Sequence, residues 1–361
     1  MSPKPIEINF ITPEVWWNPK RSKWGRRWWW IPQLLALPVT GLAWLGMATD
    51  VALLAPLSLM LPYLVLYHVM WSLMATAHLH PSALLGGTLL ALLWTPMGSW
   101  MQVRTPPSQS LGPHLSAASW NVHHWRNRTW TEDSATVAGM TQFALNLDVE
   151  LLALQDVRGG TAAEDPLRAA YPYRVAAYDL ALYSRYPIAQ WDRVDFPSDS
   201  GRIGFIWADV LLPEGDTLRV VNVHLVSTDV DLREAQSEQA KSGWWQSAKL
   251  LLRRMVRRAE PRSVQAESLA AWWAESPRPV LVLGDFNDGP TSATHRRLRT
   301  LGSDSFIECG AGWGSTYRGL RLVPLRIDWV WTNGPWTALE HRVVKQTWSD
   351  HNPVRVAISS N

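Results

Sequence analysis

The sequence predicts an α/β domain of packed β-sheets with helices outside, preceded by an N-terminal transmembrane helical segment. Three features predict it. From Trp28 to Val103 the only charged residue is Asp50. Beyond residue 104, short apolar runs of strand length alternate with polar stretches of helical period. The polar residues of this second region gather where its apolar runs end, which in a sheet is the rim.

The chain has 361 residues and 24 Trp, against 6 Phe and 8 Tyr. The single Cys309 excludes a disulfide framework and a cysteine zinc site. Residues 1–27 carry Lys4, Lys20, Arg21, Lys23, Arg26 and Arg27 against Glu7 and Glu14. Together with Asp50 these account for the whole net charge of +3, so residues 104–361 are formally neutral. Unspecific nucleic-acid binding rests on a basic surface, which this region does not have as a whole.

Residues 28–103 read as a transmembrane region of about three helices, Trp29–Ala48, Val51–Ala75 and Ser82–Trp100. A crossing takes about 20 apolar residues. The breaks are Thr49-Asp50 and the polar run 76–81. Pro38, Pro56 and Pro62 inside the spans are tolerable in lipid, and Gly86 and Gly87 permit close helix packing. A cleaved signal sequence is the poorer reading, because its apolar core runs to only about 7–15 residues. The basic segment 1–27, with Trp16, Trp17, Trp24 and Trp28 to Trp30 as an interfacial belt, places the N-terminus in the cytoplasm. Three crossings then put the rest of the chain on the extracytoplasmic side of the cytoplasmic (inner) membrane. Two would return it, and Ser82–Trp100 only just reaches across about 30 Å.

Residues 104–118, rich in Pro, Ser and Gly, read as a linker into a domain over 119–361. Strand candidates are Leu115–Val122, Leu151–Gln155, Leu180–Ser184, Phe205–Leu211, Leu218–Leu225, Val280–Leu283, Arg326–Trp331 and Val354–Ile358. Helix candidates are Thr136–Asn146, Leu232–Arg258, Ser263–Glu275 and Thr291–Leu301.

The chemistry lies at the strand ends. Asn121 closes Ser119-Trp120-Asn121, and Gln155 and Asp156 close the next run. Asn222 and His224 follow in Asn222-Val223-His224. Asp285, Asn287 and Asp288 come after Val280–Gly284, Asp328 lies in an apolar run, and Ser349-Asp350-His351 precedes the last strand. Singly, each has a plain structural use: Asp in a turn, Asn as a cap, a packed histidine. Asp328 is the exception, because a buried carboxylate needs a partner. Jointly they supply carboxylate and amide oxygens for a hard cation such as Mg²⁺, with two histidines to handle protons or contact phosphate.

In that order, these motifs resemble the endonuclease/exonuclease/phosphatase superfamily, the deoxyribonuclease I-like fold, over about 115–360. The resemblance implies a four-layered α/β sandwich of two mixed sheets with outer helices. It also implies phosphoester hydrolysis with Mg²⁺ or Mn²⁺. Carried over residue by residue, Asn121 and Asp156 resemble metal-site residues and Asp350 a residue of a second metal or water site. His224 resembles the histidine on the phosphate or leaving oxygen. Asp285 resembles the residue that orients or deprotonates water, and Asn287 the holder of a phosphoryl oxygen. His351 resembles the essential histidine, with Asp328 orienting it. Two departures stand out. The family usually has Glu where this chain has Asp156, one methylene shorter, and no carboxylate partner for His224 is identifiable in the sequence.

Substrate and partners follow less directly. Within Leu232–Arg258, Trp244, Ala248, Leu251 and Met255 recur at helical spacing, and Lys249, Arg253 and Arg257 form a basic stripe flanked by Arg254 and Arg258. Such a helix reads as membrane-surface binding, or as a packed helix with a solvated basic face, or as a seat for a nucleic-acid backbone. The favoured expectation is a membrane-anchored phosphodiesterase or phosphatase acting on a phospholipid or other phosphorylated amphiphile. The alternative is a membrane-tethered endonuclease or exonuclease on DNA or RNA, and the third is a lapsed domain kept for binding. The partners expected are the phosphoester substrate (lipid head group or nucleic acid) and the lipid bilayer; the sequence identifies no protein partner.

Overall fold

Strand β1 (Leu115–Asn121) shows how the domain is layered. Leu115 and Ala117 point into an apolar layer between two sheets, while Ala118 and Trp120 join a second layer under helices. That is the period of two of a strand buried on both faces. The computed structural model describes residues 28–104, 114–127, 133–157, 162–197, 203–228, 244–319 and 325–360. The basic segment 1–27, most of the linker and residues 232–243 of an expected helix lie outside these.

Strand β1 is parallel to β2 (Leu151–Gln155) and antiparallel to β12 (Val354–Ser360). With β3 (Tyr173–Ala177), β4 (Leu180–Ser184) and β11 (Trp336–Val343) they form a six-stranded sheet ordered β11-β12-β1-β2-β4-β3. The second sheet contains β5 (Ile188–Asp195), β6 (Gly204–Leu211), β7 (Thr217–His224), β8 (Val280–Asp285), β9 (Ser303–Asp304) and β10 (Asp328–Thr332). Its order is β5-β6-β7-β8-β10-β9, with β7 and β8 parallel. Both sheets are thus mixed.

Helices close the outer faces. Val137, Met140 and Ala144 of one helix (Ser134–Leu145) and Leu167 of another (Glu164–Ala170) pack on Trp120, Leu152 and Leu154. Asp133 caps the first of these, accepting the Thr136 backbone N–H at 2.7 Å. On the other side Ala266, Leu269, Ala270 and Trp273 of the long helix Trp244–Ala274, with Leu298 of Ala293–Leu298, cover Val221, Val282 and Trp331. The result is the four-layered sandwich that the resemblance implied.

Several elements differ from the sequence reading. Strand β1 starts at Leu115, as the strand candidate Leu115–Val122 expected, within the stretch also read as linker. Strands β3, β5, β9 and β11 carry no apolar run that marks them. The two helices expected on either side of Pro261 are one, Trp244–Ala274. Pro261 removes one backbone N–H, but the packed turns that follow keep the helix going.

The apolar region forms α1 (Ile31–Ala48), α2 (Ala55–Ser58), α3 (Leu61–Ala77) and α4 (Ser82–Met97). The span expected over Val51–Ala75 is not one helix. A short turn at Ala52–Leu54 and α2 meet α3 at a bend of 49°. Pro62 explains the break: it offers no N–H to the Ser58 carbonyl four residues back, which instead accepts the Thr291 hydroxyl at 2.9 Å. Among the described helices α1 alone is long and apolar enough to cross a membrane by itself, and α2 and α3 qualify together. With 16 residues, α4 spans about 24 Å, short of a hydrocarbon core of about 30 Å.

The described chain forms two compact units, 28–40 with 63–93, and 41–62 with 94–360. In the first, His68 is buried, with Nδ1 2.9 Å from Gln33 Oε1 and Nε2 3.0 Å from Thr40 Oγ1. A Cβ on Gly86 would lie 2.0 Å from Ser72 Oγ, whereas Gly87 faces open space, so only the first glycine serves close packing. The second unit joins the sandwich to both ends of its apolar segments. Asp50 pairs with Arg297 at 3.0 Å, Trp100 Nε1 donates to Thr291 Oγ1 at 3.2 Å, and the buried Arg326 donates to Ser99 O at 3.0 Å while pairing with Asp304 at 2.7 Å.

Candidate active site

The layer between the sheets is apolar for most of its length and turns polar at one end. In β8 the inward residues run Leu281, Leu283, Asp285, and in β2 Leu151, Ala153, Gln155. In β7 they run Leu218, Val220, Asn222, His224; in β1 the series ends on Asn121, and in β10 Val330 is preceded by Asp328. Alternation alone therefore carries six polar side chains to one tip of the sandwich, because side chains two apart share a face. Gln155 Nε2 bonds Asn222 Oδ1 at 2.7 Å across the sheets, and Asn222 Nδ2 reaches the carbonyls of Leu154 and Ala181 at 2.9 Å. These amides lock the two sheets together directly beneath the site.

Asp285 is the centre. Its side chain is 1% exposed, and Oδ2 accepts Asn121 Nδ2–H at 2.9 Å. Oδ1 accepts the backbone N–H of Asn287 at 2.9 Å. Two imidazoles flank it, with His224 Nε2 and His351 Nε2 each 3.7 Å from Oδ2. His351 Nδ1 pairs with Asp328 Oδ2 at 2.9 Å. Thr316 Oγ1 receives the backbone N–H of Asp328, while the Trp120 indole donates to the His351 carbonyl at 3.0 Å. Ser349 accepts the His351 N–H and donates to the Asn121 carbonyl at 2.8 Å, which joins the last loop to β1. Asn287 is held by its Nδ2–H to Leu225 O at 2.9 Å.

His224 also has a carboxylate partner, Asp179, whose Oδ2 lies 2.5 Å from Nδ1. The sequence reading did not find it. Asp179 occupies the two-residue turn between β3 and β4, with no motif around it. The electrostatics follow from the pairing. Burial works to lower the pKa of each imidazole, but it is outweighed. Asp179 and Asp285 hold His224 up at about 9, and Asp328 and Asp285 hold His351 up at about 10. Both rings are therefore cations at neutral pH.

Asp156 sits in the left-handed region at φ 57°, just beyond β2. Because Asn121 and Gln155 are paired in the ladder, Asn121 and Asp156 leave adjacent strands side by side. Asp156 Oδ1 meets His124 Nε2 at 3.1 Å. His123 Nδ1 lies 4.0 Å from Asp156 and 3.7 Å from Asp350, and so links the two carboxylates. Neither His123 nor His124 was singled out in the sequence; their adjacency to Asn121 was the available signal. Burial raises the Asp156 pKa. Asp156, Asp179 and His224 each place a donor atom within 4.8 Å of the others, as do Asp285, Asp328 and His351. Each group contains a His–Asp pair, Asp179–His224 in the first and Asp328–His351 in the second. In the first, Asp156 stands outside the pair; its carboxylate and the Asn121 amide oxygen, which accepts the His123 backbone N–H at 2.9 Å, leave neighbouring strands and are oxygen donors of the kind a hard divalent cation takes.

Residues 118–351 match the Endonuclease/Exonuclease/phosphatase family. "Uncharacterized protein YbhP" of Escherichia coli (strain K12) is 27% identical over 185 residues, 49% of this chain and 61% of the relative; the Shigella flexneri protein matches equally. The chain thus spans under two thirds of the length of these curated relatives. The human Nocturnin catalytic domain with bound sulfate superposes with a TM-score of 0.51 at 14% identity, over 70% of this chain and 97% of that one. D. rerio TDP2 complexed with single strand DNA product gives 0.50 at 17% identity, over 69% and 100%. At these identities the likeness is one of fold.

Proposed function

The chain belongs to the endonuclease/exonuclease/phosphatase family, and from that premise we propose that it is a membrane-anchored, Mg²⁺- or Mn²⁺-dependent phosphoesterase acting on a lipid phosphoester in its own bilayer. The supporting observation is where the active-site loop rests. After Asp285 the chain runs through Asn287 and Asp288 to Gly289, where a Cβ would lie 2.2 Å from Leu59 Cδ2 and 3.6 Å from the Trp100 ring. Two residues on, Thr291 bonds both Ser58 O and the Trp100 indole. Four residues span at most about 14 Å, so Asp285 is held close to Trp100, which follows the end of α4, and to Leu59, at the break between α2 and α3. The end of a membrane helix lies at headgroup level, the depth of a phospholipid phosphate.

The same contacts support an odd number of crossings, the parity of the three-crossing topology. Asp50, after α1, and Ser99 and Trp100, after α4, all bind the sandwich. Asp50 and Trp100 then lie on one side of the bilayer. With the basic segment 1–27 inside, the catalytic domain is extracytoplasmic.

In the reaction, Asn121 and Asp156 would hold the metal, and Asp350 a second metal or water. A bound divalent ion would supply positive charge to offset that of the phosphoryl oxygens. Asp285, oriented by Asn121, takes a proton from the attacking water. Asn287 holds a phosphoryl oxygen. The two imidazolium rings stabilise the charge that develops on the phosphate, and one returns a proton to the leaving oxygen.

The test is a substrate panel on the purified full chain in lipid nanodiscs. We expect release of headgroup or phosphate from lipid, abolished by EDTA and restored by Mg²⁺ or Mn²⁺. Cutting of plasmid DNA or RNA with no lipid hydrolysis would replace this reading with the nuclease one, and full activity in excess EDTA would remove the metal.

A further inference from the structure

Let α7 denote Trp244–Ala274, preceded by α5 (Ser134–Leu145) and α6 (Glu164–Ala170). Its two halves differ. From Arg262 onward it is packed on the sheet, whereas none of residues 245–261 is buried. One helical line runs its length. Trp245, Leu252, Val256, Ala259 and Ser263 are spaced by seven, four, three and four residues, which is five full turns. At the lower end of this line Ala259 and Ser263 line a small cavity with Thr49, Asp50 and Val51, and Ser263 Oγ lies 3.4 Å from Asp50 Oδ1. At the upper end Trp245 is 65% exposed and Leu252 50% exposed. The face that rests on the loop after α1 thus continues outward as an apolar strip. Beside it Lys249, Arg253 and Arg257, four residues apart, are all exposed. The only acid from Trp244 to Glu260 is Glu260 itself.

We propose that the N-terminal half of α7 lies on the anionic surface of the bilayer that anchors the chain. Trp245 and Leu252 enter the headgroup layer, and Lys249, Arg253 and Arg257 meet lipid phosphates. Two arguments select a lipid surface over a nucleic acid. The exposed apolar strip gains nothing from a sugar-phosphate backbone at Leu252. The strip is also collinear with the contact to the loop after α1, so the helix leaves the end of a membrane segment along the face it already presents there. This inference rests on the anchored topology proposed above, but not on the identity of the phosphoester that is cut. Its consequence is a second attachment of the catalytic domain to the membrane, which holds the mouth of the site toward the lipid.

The test places a nitroxide at residue 252 (Leu252→Cys in a Cys309→Ser background) of the full chain. Nanodiscs are made of phosphatidylcholine alone or with phosphatidylglycerol. We expect phosphatidylglycerol to shield the label from an aqueous nickel chelate and expose it to dissolved oxygen. Lys249→Glu, Arg253→Glu and Arg257→Glu should each weaken that shielding about fivefold, and salt at ~1 M should abolish it. Turnover of a soluble chromogenic phosphodiester should stay unchanged in all three. A label equally open to the chelate in both lipids, or shielded only when DNA is added, overturns the proposal. A shielded label without lipid hydrolysis would keep the surface and reject the lipid substrate. Lipid hydrolysis with an open label would do the reverse.

Discussion

The two His–Asp pairs of the site look alike at Asp285 and differ behind it. Each presents Nε2 3.7 Å from Asp285 Oδ2. In Asp328–His351 the side chains are 1% and 6% exposed, and β10, Thr316, Trp120 and Ser349 hold them from every side. In Asp179–His224 they are 31% and 15% exposed, and Asp179 stands on a turn whose first residue, Tyr178, has φ 56°. Burial raises the Asp328 carboxyl despite His351. At Asp179 burial also acts upward, but His224 outweighs it and the carboxyl falls below its usual range. The closed pair is built into the core, where the proposed mechanism uses it as an acid–base unit. The open pair is partly exposed at the rim of the site.

The largest effects should come from the centre and the closed pair. Asp285→Ala and His351→Ala should each lower kcat by at least ~10² on a soluble phosphodiester, the usual worth of a positioned acid–base group. Asp328→Asn should match His351→Ala in rate and also cost stability, because one partner of a buried pair is lost. Thermal melts beside the kinetics separate the two effects. Wild-type kcat in Asp285→Ala would remove it from the centre.

The open pair should matter less. Asp179→Asn should cost roughly a tenth of what Asp328→Asn does in kcat, since water screens and partly replaces an exposed partner. It should also leave the melting temperature nearly unchanged. Equal losses from the two variants would erase the distinction between the pairs.

What the sequence revealed divides along the same line. Asn121, His224, Asp285 and Asp328 were legible because each ends or begins an apolar run in phase with the inter-sheet layer. Asp179 was not, because Asp is a common turn residue for its own reasons and nothing in Tyr178-Asp179 distinguishes a hairpin from a catalytic support. The unmarked strands have one cause as well. Strands β3, β5, β9 and β11 are the four edges of the two sheets, and edges carry polar residues; β5 is mostly exposed. The seating of the Gly289 loop on Leu59 and Trp100 joins segments about 200 residues apart, and no local pattern encodes it.

A third buried histidine sharpens the contrast by lacking a carboxylate partner. His341 pairs through Nδ1 with Ser305 Oγ at 2.8 Å, and its Nε2 is buried without a partner. Burial therefore prevails, and its pKa is pushed down to about 3. The sign is opposite to His224 and His351. The unfolded chain takes up a proton near pH 6.5 that the native ring refuses. This contribution to stability is complete above pH 6.5 and is lost as pH falls toward 3. Between pH 6.5 and 5 the loss is at most about 2 kcal/mol. His341→Gln should flatten the acid limb of the melting profile, and an unchanged limb would show that the ring titrates normally.

The smallest effect should come from the fully open extreme of the same series, Asp50. Its ion pairs with Arg297 at 3.0 Å and Arg296 at 3.5 Å are exposed, Asp50 itself to 44%. Exposed pairs contribute about 0–1 kcal/mol and weaken with salt. The segment after α1 has better-shielded attachments, the Ser58 carbonyl on Thr291 and the Leu59 side chain beside Gly289. Asp50→Asn should therefore lower stability by less than ~1 kcal/mol, and the difference from wild type should vanish in high salt. Turnover of a soluble phosphodiester should be unchanged, because Asp50 holds the loop and is not among the residues of the site. A larger, salt-resistant loss would mean that the only charge between Trp28 and Val103 does more than pair at a surface, and that burial does not rank the ion pairs of this molecule.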